Sequence, residues 1–206
     1  MDVVFVRGAI VGLLITDADA PGIRATKGVD VIVEVASFVD YQSQLRPQLL
    51  AKGFAKCTDE GAPICRWVLD GALVDVVPAD PTILGFAESL WFERASATAE
   101  QHDIDGTALK VITAVCFLAT KFDAFSDRGD GDYLASHDIE DIVAVIDGRP
   151  ELIVELSDAD AELSAYVTDE LSKLVLSDML AELAYGNTSG TRIGTLEDRI
   201  MALAEP

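Results

Sequence analysis

The sequence predicts an α+β fold: a small mixed sheet with flanking helices, followed by a mostly helical C-terminal region. Three observations carry this expectation. Up to about residue 112, short β-branched runs alternate with turn signals and short helical stretches. From Thr113 onward, apolar residues recur at helical spacing. There is no internal repeat, no low-complexity linker, and no uninterrupted apolar run of the ~18 residues that a bilayer span needs.

Each element follows from local chemistry. Val3 to Val6 reads as a strand and Gly8 to Ile15 as a short helix; the polar turn "TDADAPG" leads to a second strand over Val29 to Val35. Residues 39–52 read as helical, with Pro47 a reason for an interruption or a late start, because proline lacks the N–H the ladder needs. Phe54 to Lys56, Ile64 to Leu69 and Ala72 to Val77 read as strands, the last two joined by Asp70-Gly71, a strong hairpin signal. A helix over about 83–97 precedes a short hairpin in "DIDGTALKVI", turning at Gly106. In the second part, "AVCFLATKFDAFSDRG" stops at Gly129, and a helix with Ser136 as its N-cap stops at Gly148-Arg149-Pro150. Helices continue to about Tyr185, and a last one covers roughly 195–204. The expected division is a sheet-bearing core over 1–112 and a helical region over 113–206 that shares its cleft.

Composition narrows the function classes. The chain has 206 residues, half of them hydrophobic, and a formal net charge of −21, which opposes general nucleic-acid binding and excludes a DNA-binding protein. Residues 129–206 hold 4 Lys and Arg against 18 Asp and Glu, so the basic groups concentrate in the first part, where a local anion site is compatible with the sequence. Three scattered cysteines without CxxC spacing argue against a disulfide framework or a zinc site, so an expected metal is a hard, oxygen-bound cation. The opening "VVFVRGAIVGLLI" lacks a basic leader and is broken by Arg7 and two glycines, so it reads as strand-turn-helix rather than a signal peptide. A cytoplasmic location without membrane partners is the expectation.

The chemistry-bearing stretch is "IRATKGVDVIVEV". Strand alternation sends the valines from Val29 to Val35 to one face and Gly28, Asp30, Ile32 and Glu34 to the other. A second apolar strand, "ALVDVVP", carries the isolated acid Asp75. Two carboxylates on paired strands can converge on one divalent cation, which can bridge triphosphate oxygens in phosphoryl transfer. Asp138, Glu140 and Asp141 follow Ser136 in a first helical turn, where the helix dipole favours acids; His137 reads as a helix-start residue, and Phe117, Phe122 and Phe125 as core.

In order along the chain come a glycine-bearing strand-to-helix turn, a basic loop with a DxD-like strand, a later strand acid, and "LATKFDAFSDRGDGDYLASHDIEDIVAVIDGRPEL". This succession, over most of residues 3–155, resembles the AbiEii-like toxin and abortive-infection nucleotidyltransferases; its most specific block is Lys121 to Asp141. The resemblance implies a nucleotidyltransferase-like fold and Mg²⁺-dependent transfer of NMP from an NTP to an RNA 3′ end or a protein hydroxyl. The implied setting is a toxin–antitoxin or phage-defence system, with an antitoxin protein as partner. It implies metal binding by Asp30 and Asp75, and nucleotide contacts from Gly8, Arg24, Lys27, Lys121 and Arg128. It also implies that Asp138 and Asp141 activate the acceptor or orient Lys121. Two positions depart from the family pattern. Arg7-Gly8 stands where the family has Gly-Gly or Gly-Ser, and Gly28 stands where it has the first acid of DxD. An inactive nucleotidyltransferase-fold module that binds a nucleotide or a protein is therefore the alternative expectation. The chain also begins almost at its first strand, where this fold often has a preceding helix, so an upstream start is a further expectation.

Overall fold

Seven short strands build one mixed sheet because most of them are β-branched on at least one face and are separated by turn chemistry that reverses the chain. The computed structural model describes residues 3–85, 89–128 and 131–205. The chain divides into two compact units, one from residues 1–9 and 25–112 and the other from 10–24 and 113–206.

The first unit holds the strands β1 (Val3–Val6), β2 (Gly28–Val33), β3 (Ala55–Lys56), β4 (Arg66–Leu69), β5 (Ala72–Pro78), β6 (Glu100–Ile104) and β7 (Thr107–Val111), in the order β3-β4-β5-β2-β1-β7-β6. β2 runs parallel to β5 and antiparallel to β1, and β1 runs parallel to β7. Both expected hairpins form. Asp70-Gly71 and Asp105-Gly106 adopt successive left-handed backbones (φ 49° and 84°, 51° and 80°), the conformation that matches the twist of two-residue hairpins.

Alternation gives this sheet two faces: Val4, Val6, Ile32 and Val77 are buried on the one that carries Asp30 and Asp75, and a larger apolar core lies on the other. Val31 and Val33 of β2, Val76 of β5 and Trp67 of β4 are buried there against Tyr41, Leu45 and Leu49. Tyr41 and Leu45 come from a π-helical turn (Tyr41–Leu45) and Leu49 from α3 (Arg46–Ala51); with the preceding α2 (Phe38–Asp40) these run on as one helical rod. Pro47 does not break this rod. The wider turn ahead of it lets the Arg46 N–H reach back to the Tyr41 carbonyl, and Pro47 sits in the first turn of α3, where no N–H is needed. The helix expected over 83–97 is shorter: α4 spans Phe92–Ala97, residues 81–85 form turns, and residues 86–88 lie outside the described residues.

The second unit is helical: α1 (Val11–Leu14), α5 (Ala114–Arg128), α6 (His137–Gly148), α7 (Leu152–Asp158), α8 (Ala161–Leu176), α9 (Leu180–Asn187) and α10 (Arg192–Leu203). α6 is its centre, with Ile139, Ile142, Val143, Val145 and Ile146 buried almost without exposure. Ser136 caps α6 as expected, accepting from the N–H groups of Asp138 and Ile139. Gly148 is the last residue of the helix; a Cβ there would lie 2.8 Å from the Ile15 side chain, which suits glycine, and its carbonyl accepts from the N–H groups of Thr16 and Asp17. Among the described residues no helix is long and apolar enough to cross a membrane.

Candidate functional site

In the sheet unit, register decides which acids meet. Asp30 of β2 is paired directly with Asp75 of the parallel strand β5, and paired residues share a face, so the two carboxylates are neighbours opposite the apolar core. The same register brings two arginines to that face. Arg66 of β4 lies directly across from Asp75, donating from Nε at 2.8 Å and from Nη2 at 2.7 Å, a fork that engages both carboxylate oxygens. That bond to Asp75 is the main reason the Arg66 guanidinium is held more basic than usual, against the opposing pull of burial. On the other side, Val6 of β1 pairs with Asp30, and the next residue, Arg7, donates from Nη1 to Asp30 Oδ1 at 3.3 Å. The Arg7 guanidinium also lies 5.8 Å from the Phe92 ring centroid of α4, within cation–π range.

The backbone at Arg7 has φ 62°, in the left-handed region that glycine adopts freely and other residues adopt at a cost of roughly 1–2 kcal/mol. Gly8 follows it and opens a 3-10 turn, Gly8–Ile10. Lys27 is exposed just ahead of β2. Gly28 pairs with Leu73, and a Cβ added there would lie 3.2 Å from the Leu73 carbonyl oxygen, a tight contact that a side chain would relieve only if the Leu73 backbone shifted slightly.

These residues do not fit a divalent cation. Mg²⁺ takes about six oxygens in near-octahedral geometry. Here one carboxylate is held by both oxygens of a guanidinium fork, the other is ion-paired, and position 28 has no side chain to donate. Among the described residues, no three or more His, Cys, Asp or Glu side chains gather in a group able to hold a metal.

The helical unit assembles the other sequence candidates. Lys121 of α5 is 4% exposed and donates from Nζ to Asp138 Oδ1 at 2.9 Å and to Asp141 Oδ2 at 2.6 Å, both on α6. Asp138 and Asp141 are buried as well, being three residues apart and thus on one helical face. Arg24 contacts the outer side of Asp141, Nη2 to Oδ1 at 3.3 Å, and its Nε lies 3.2 Å from Glu140 Oε2. Arg128 ends α5, and its side chain lies outside the described residues. Asp30 and Asp75 thus meet in one unit, and Lys121, Asp138, Asp141 and Arg24 in the other.

Sequence reasoning missed Arg66, Arg7 as a partner of Asp30, and Arg192. The signal for Arg66 was present: a two-residue turn at Asp70-Gly71 pairs Leu69 with Ala72 and, counting back along both strands, Arg66 with Asp75. Arg192 of α10 joins Asp147, which is buried on α6, to Asp17, with Nε 3.1 Å from Asp147 Oδ2 and Nη1 2.9 Å from Asp17 Oδ2. No local pattern connects residues so far apart in the chain.

No family model matches the chain, and no curated protein matches it significantly. Among solved structures it is similar to an antigenic nucleotidyltransferase-like protein from Paracoccidioides brasiliensis, at 21% sequence identity and a TM-score of 0.51. The likeness covers 88% of this chain and 84% of that one. At that identity it establishes the fold: a mixed sheet with flanking helices of the nucleotidyltransferase-like kind, followed by a helical C-terminal region.

Proposed function

We propose that this chain is a nucleotidyltransferase-fold module that has lost metal-dependent nucleotidyl transfer and works by binding. One observation carries the reading: Asp30 is engaged by Arg7, and the acid expected two residues earlier on the same strand face is Gly28. Losing even an outer-shell partner of a metal site costs roughly 10–100-fold, and here a ligand is gone and another is ion-paired. The family resemblance supports a cytoplasmic toxin–antitoxin or phage-defence setting, with an antitoxin-like protein as the bound partner.

The second reading, an active Mg²⁺-dependent enzyme that passes NMP to an RNA 3′ end or a protein hydroxyl, is favoured by the intact later block. Lys121, Asp138 and Asp141 are all present and joined. It requires Arg7 to release Asp30.

The readings separate in one assay. Full-length protein is incubated with Mg²⁺, labelled NTPs, and total RNA or protein acceptors. The expected result is no transfer of label. Transfer that Asp30→Ala abolishes would overturn the proposal in favour of the enzyme. A nucleotide-dependent rise in Tm would identify a nucleotide, rather than a protein, as the ligand. Gly28→Asp alone is expected to restore nothing, because Arg7 still holds Asp30 and the new Cβ presses on Leu73. Arg7→Gly combined with Gly28→Asp is the form expected to gain transfer.

A further inference from the structure

We infer that Arg7 is the residue that decides the ion chemistry of the Asp30–Asp75 pair: its guanidinium takes the place of a divalent cation and makes the pair refractory to Mg²⁺ and Mn²⁺. The inference deepens the proposed function and rests on it.

Two carboxylates in register on adjacent strands lie about 5 Å apart at the backbone, close enough for their like charges to repel unless counter-charges lie beside them. A metal supplies that charge from one point between them. This chain supplies it from the flanks, Arg66 on Asp75 and Arg7 on Asp30, so the four groups form a row of alternating sign across three strands and the turn after β1. The row is neutral. A divalent ion entering it would add two positive charges beside two guanidinium groups.

The two arginines are not equivalent. Arg66 sits on a strand in ordinary conformation, and its fork is the natural result of cross-strand register. Arg7 sits in a left-handed turn that favours glycine, and its side chain is anchored on Asp30 and beside Phe92. A long side chain in a strained backbone persists where its contacts over-determine it. Gly28 completes the arrangement from the other strand end. It offers no third carboxylate, and a Cβ there would lie 3.2 Å from the Leu73 carbonyl oxygen, so an acid at this position would need a small shift of the Leu73 backbone.

The test measures Mn²⁺ binding by the full chain, by electron paramagnetic resonance and by Tm in Mn²⁺ against EDTA. Only the part of each signal removed by Asp30→Asn is counted, since an acidic chain binds cations loosely elsewhere. The wild type is expected to show no such part. Arg7→Gly is expected to bind Mn²⁺ about tenfold tighter or more, with a metal-dependent rise in Tm. Arg7→Asn, which also tolerates the left-handed backbone, is the second variant should the glycine form fold poorly. Asp30-dependent binding by the wild type would overturn the inference, as would its absence from both Arg7 variants. Asp30-dependent Mn²⁺ binding by the wild type without label transfer would overturn the inference alone. Label transfer without Mn²⁺ binding would overturn the proposed function alone.

Discussion

In the sheet unit Asp30 and Asp75 lie on adjacent strands and each takes its own arginine, whereas in the helical unit Asp138 and Asp141, one turn apart on α6, share a single lysine. The sheet pairs are partly open to water, with Arg66 one-third exposed at its side chain; Lys121 and its partners are nearly closed off. Dividing the counter-charge between two residues makes the sheet site separable, because losing one arginine leaves the other pair intact. Sharing one lysine couples the two acids of the helical site, because its loss takes the same buried cation from both at once and leaves Arg24 on Asp141. The first arrangement can be retuned one residue at a time; the second anchors its unit.

The largest effect expected from this contrast is Lys121→Met. Removing one partner of a buried ion pair costs roughly 3–5 kcal/mol, and here two acids lose the same partner. Urea unfolding should show a drop of at least that order. Lys121→Met with Asp138→Asn should recover part of it, because Arg24 already contacts Asp141. A loss below about 1 kcal/mol, the value of an exposed pair, would break the comparison.

The second effect separates the units by pH. Tyr41, 1% exposed beneath the sheet, donates its hydroxyl to the Val76 carbonyl at 2.9 Å, and burial pushes its phenol up to about 12. A raised folded value means that the stabilisation is fully present below pH about 10, the unfolded value, and is lost as pH rises towards about 12. The loss is on the order of 2–3 kcal/mol at 1.36 kcal/mol per unit. Tyr41→Phe is expected to be less stable than the wild type at neutral pH by about 1 kcal/mol, the value of one hydrogen bond. It should be the more stable form near pH 12. Unfolding curves of both across that range check the crossover.

How much of this was legible in the sequence differs by the range of the signal. Strand alternation and the two Asp-Gly turns placed the sheet elements, because both signals are local. Ser136 and Gly148 bounded α6 for the same reason. The acids were legible because an acid in a valine-rich strand is conspicuous, but their partners were not. Arg66 required carrying the hairpin register three pairs back, and Arg7 required knowing that β1 lies antiparallel to β2. Arg192 reaches Asp17 across most of the chain, which no window of residues spans. The helix over 83–97 failed in the opposite way: periodicity suggested a long element, and turns at 81–85 leave α4 only six residues.

A smaller effect tests whether the sheet pairs are separable. Arg66→Ala removes a two-point charged bond from Asp75, which hydrogen bonds to charged groups would place at about 1.5–3 kcal/mol. One-third exposure lets water replace part of it, so the expected loss is about 1–2 kcal/mol. Adding Asp30→Asn should change stability by nearly the same amount in the Arg66→Ala background as in the wild type. A coupling energy above about 0.5 kcal/mol would mean that the four charges act as one unit, as is expected around Lys121.

The smallest effect lies at acid pH, in the helical unit. Asp17 is held below the usual carboxylate range, first by the Asp19 N–H that donates to its Oδ1 at 2.9 Å and then by the Arg192 guanidinium. A depressed folded value means that the stabilisation is present above the unfolded value of 3.8 and disappears as pH falls through the lower, folded value. The stability gap between the wild type and Asp17→Asn should therefore be constant above pH about 5 and close below it. Arg192→Gln should narrow the pH span over which the gap closes without abolishing it, because the Asp19 contribution is local to the turn. If Arg192→Gln abolished the acid dependence altogether, the 10–24 segment would owe its charge state to α10 alone. It would then resemble the Lys121 cluster, where a lysine on another helix is shared by two acids, rather than the sheet, where each acid has its own arginine.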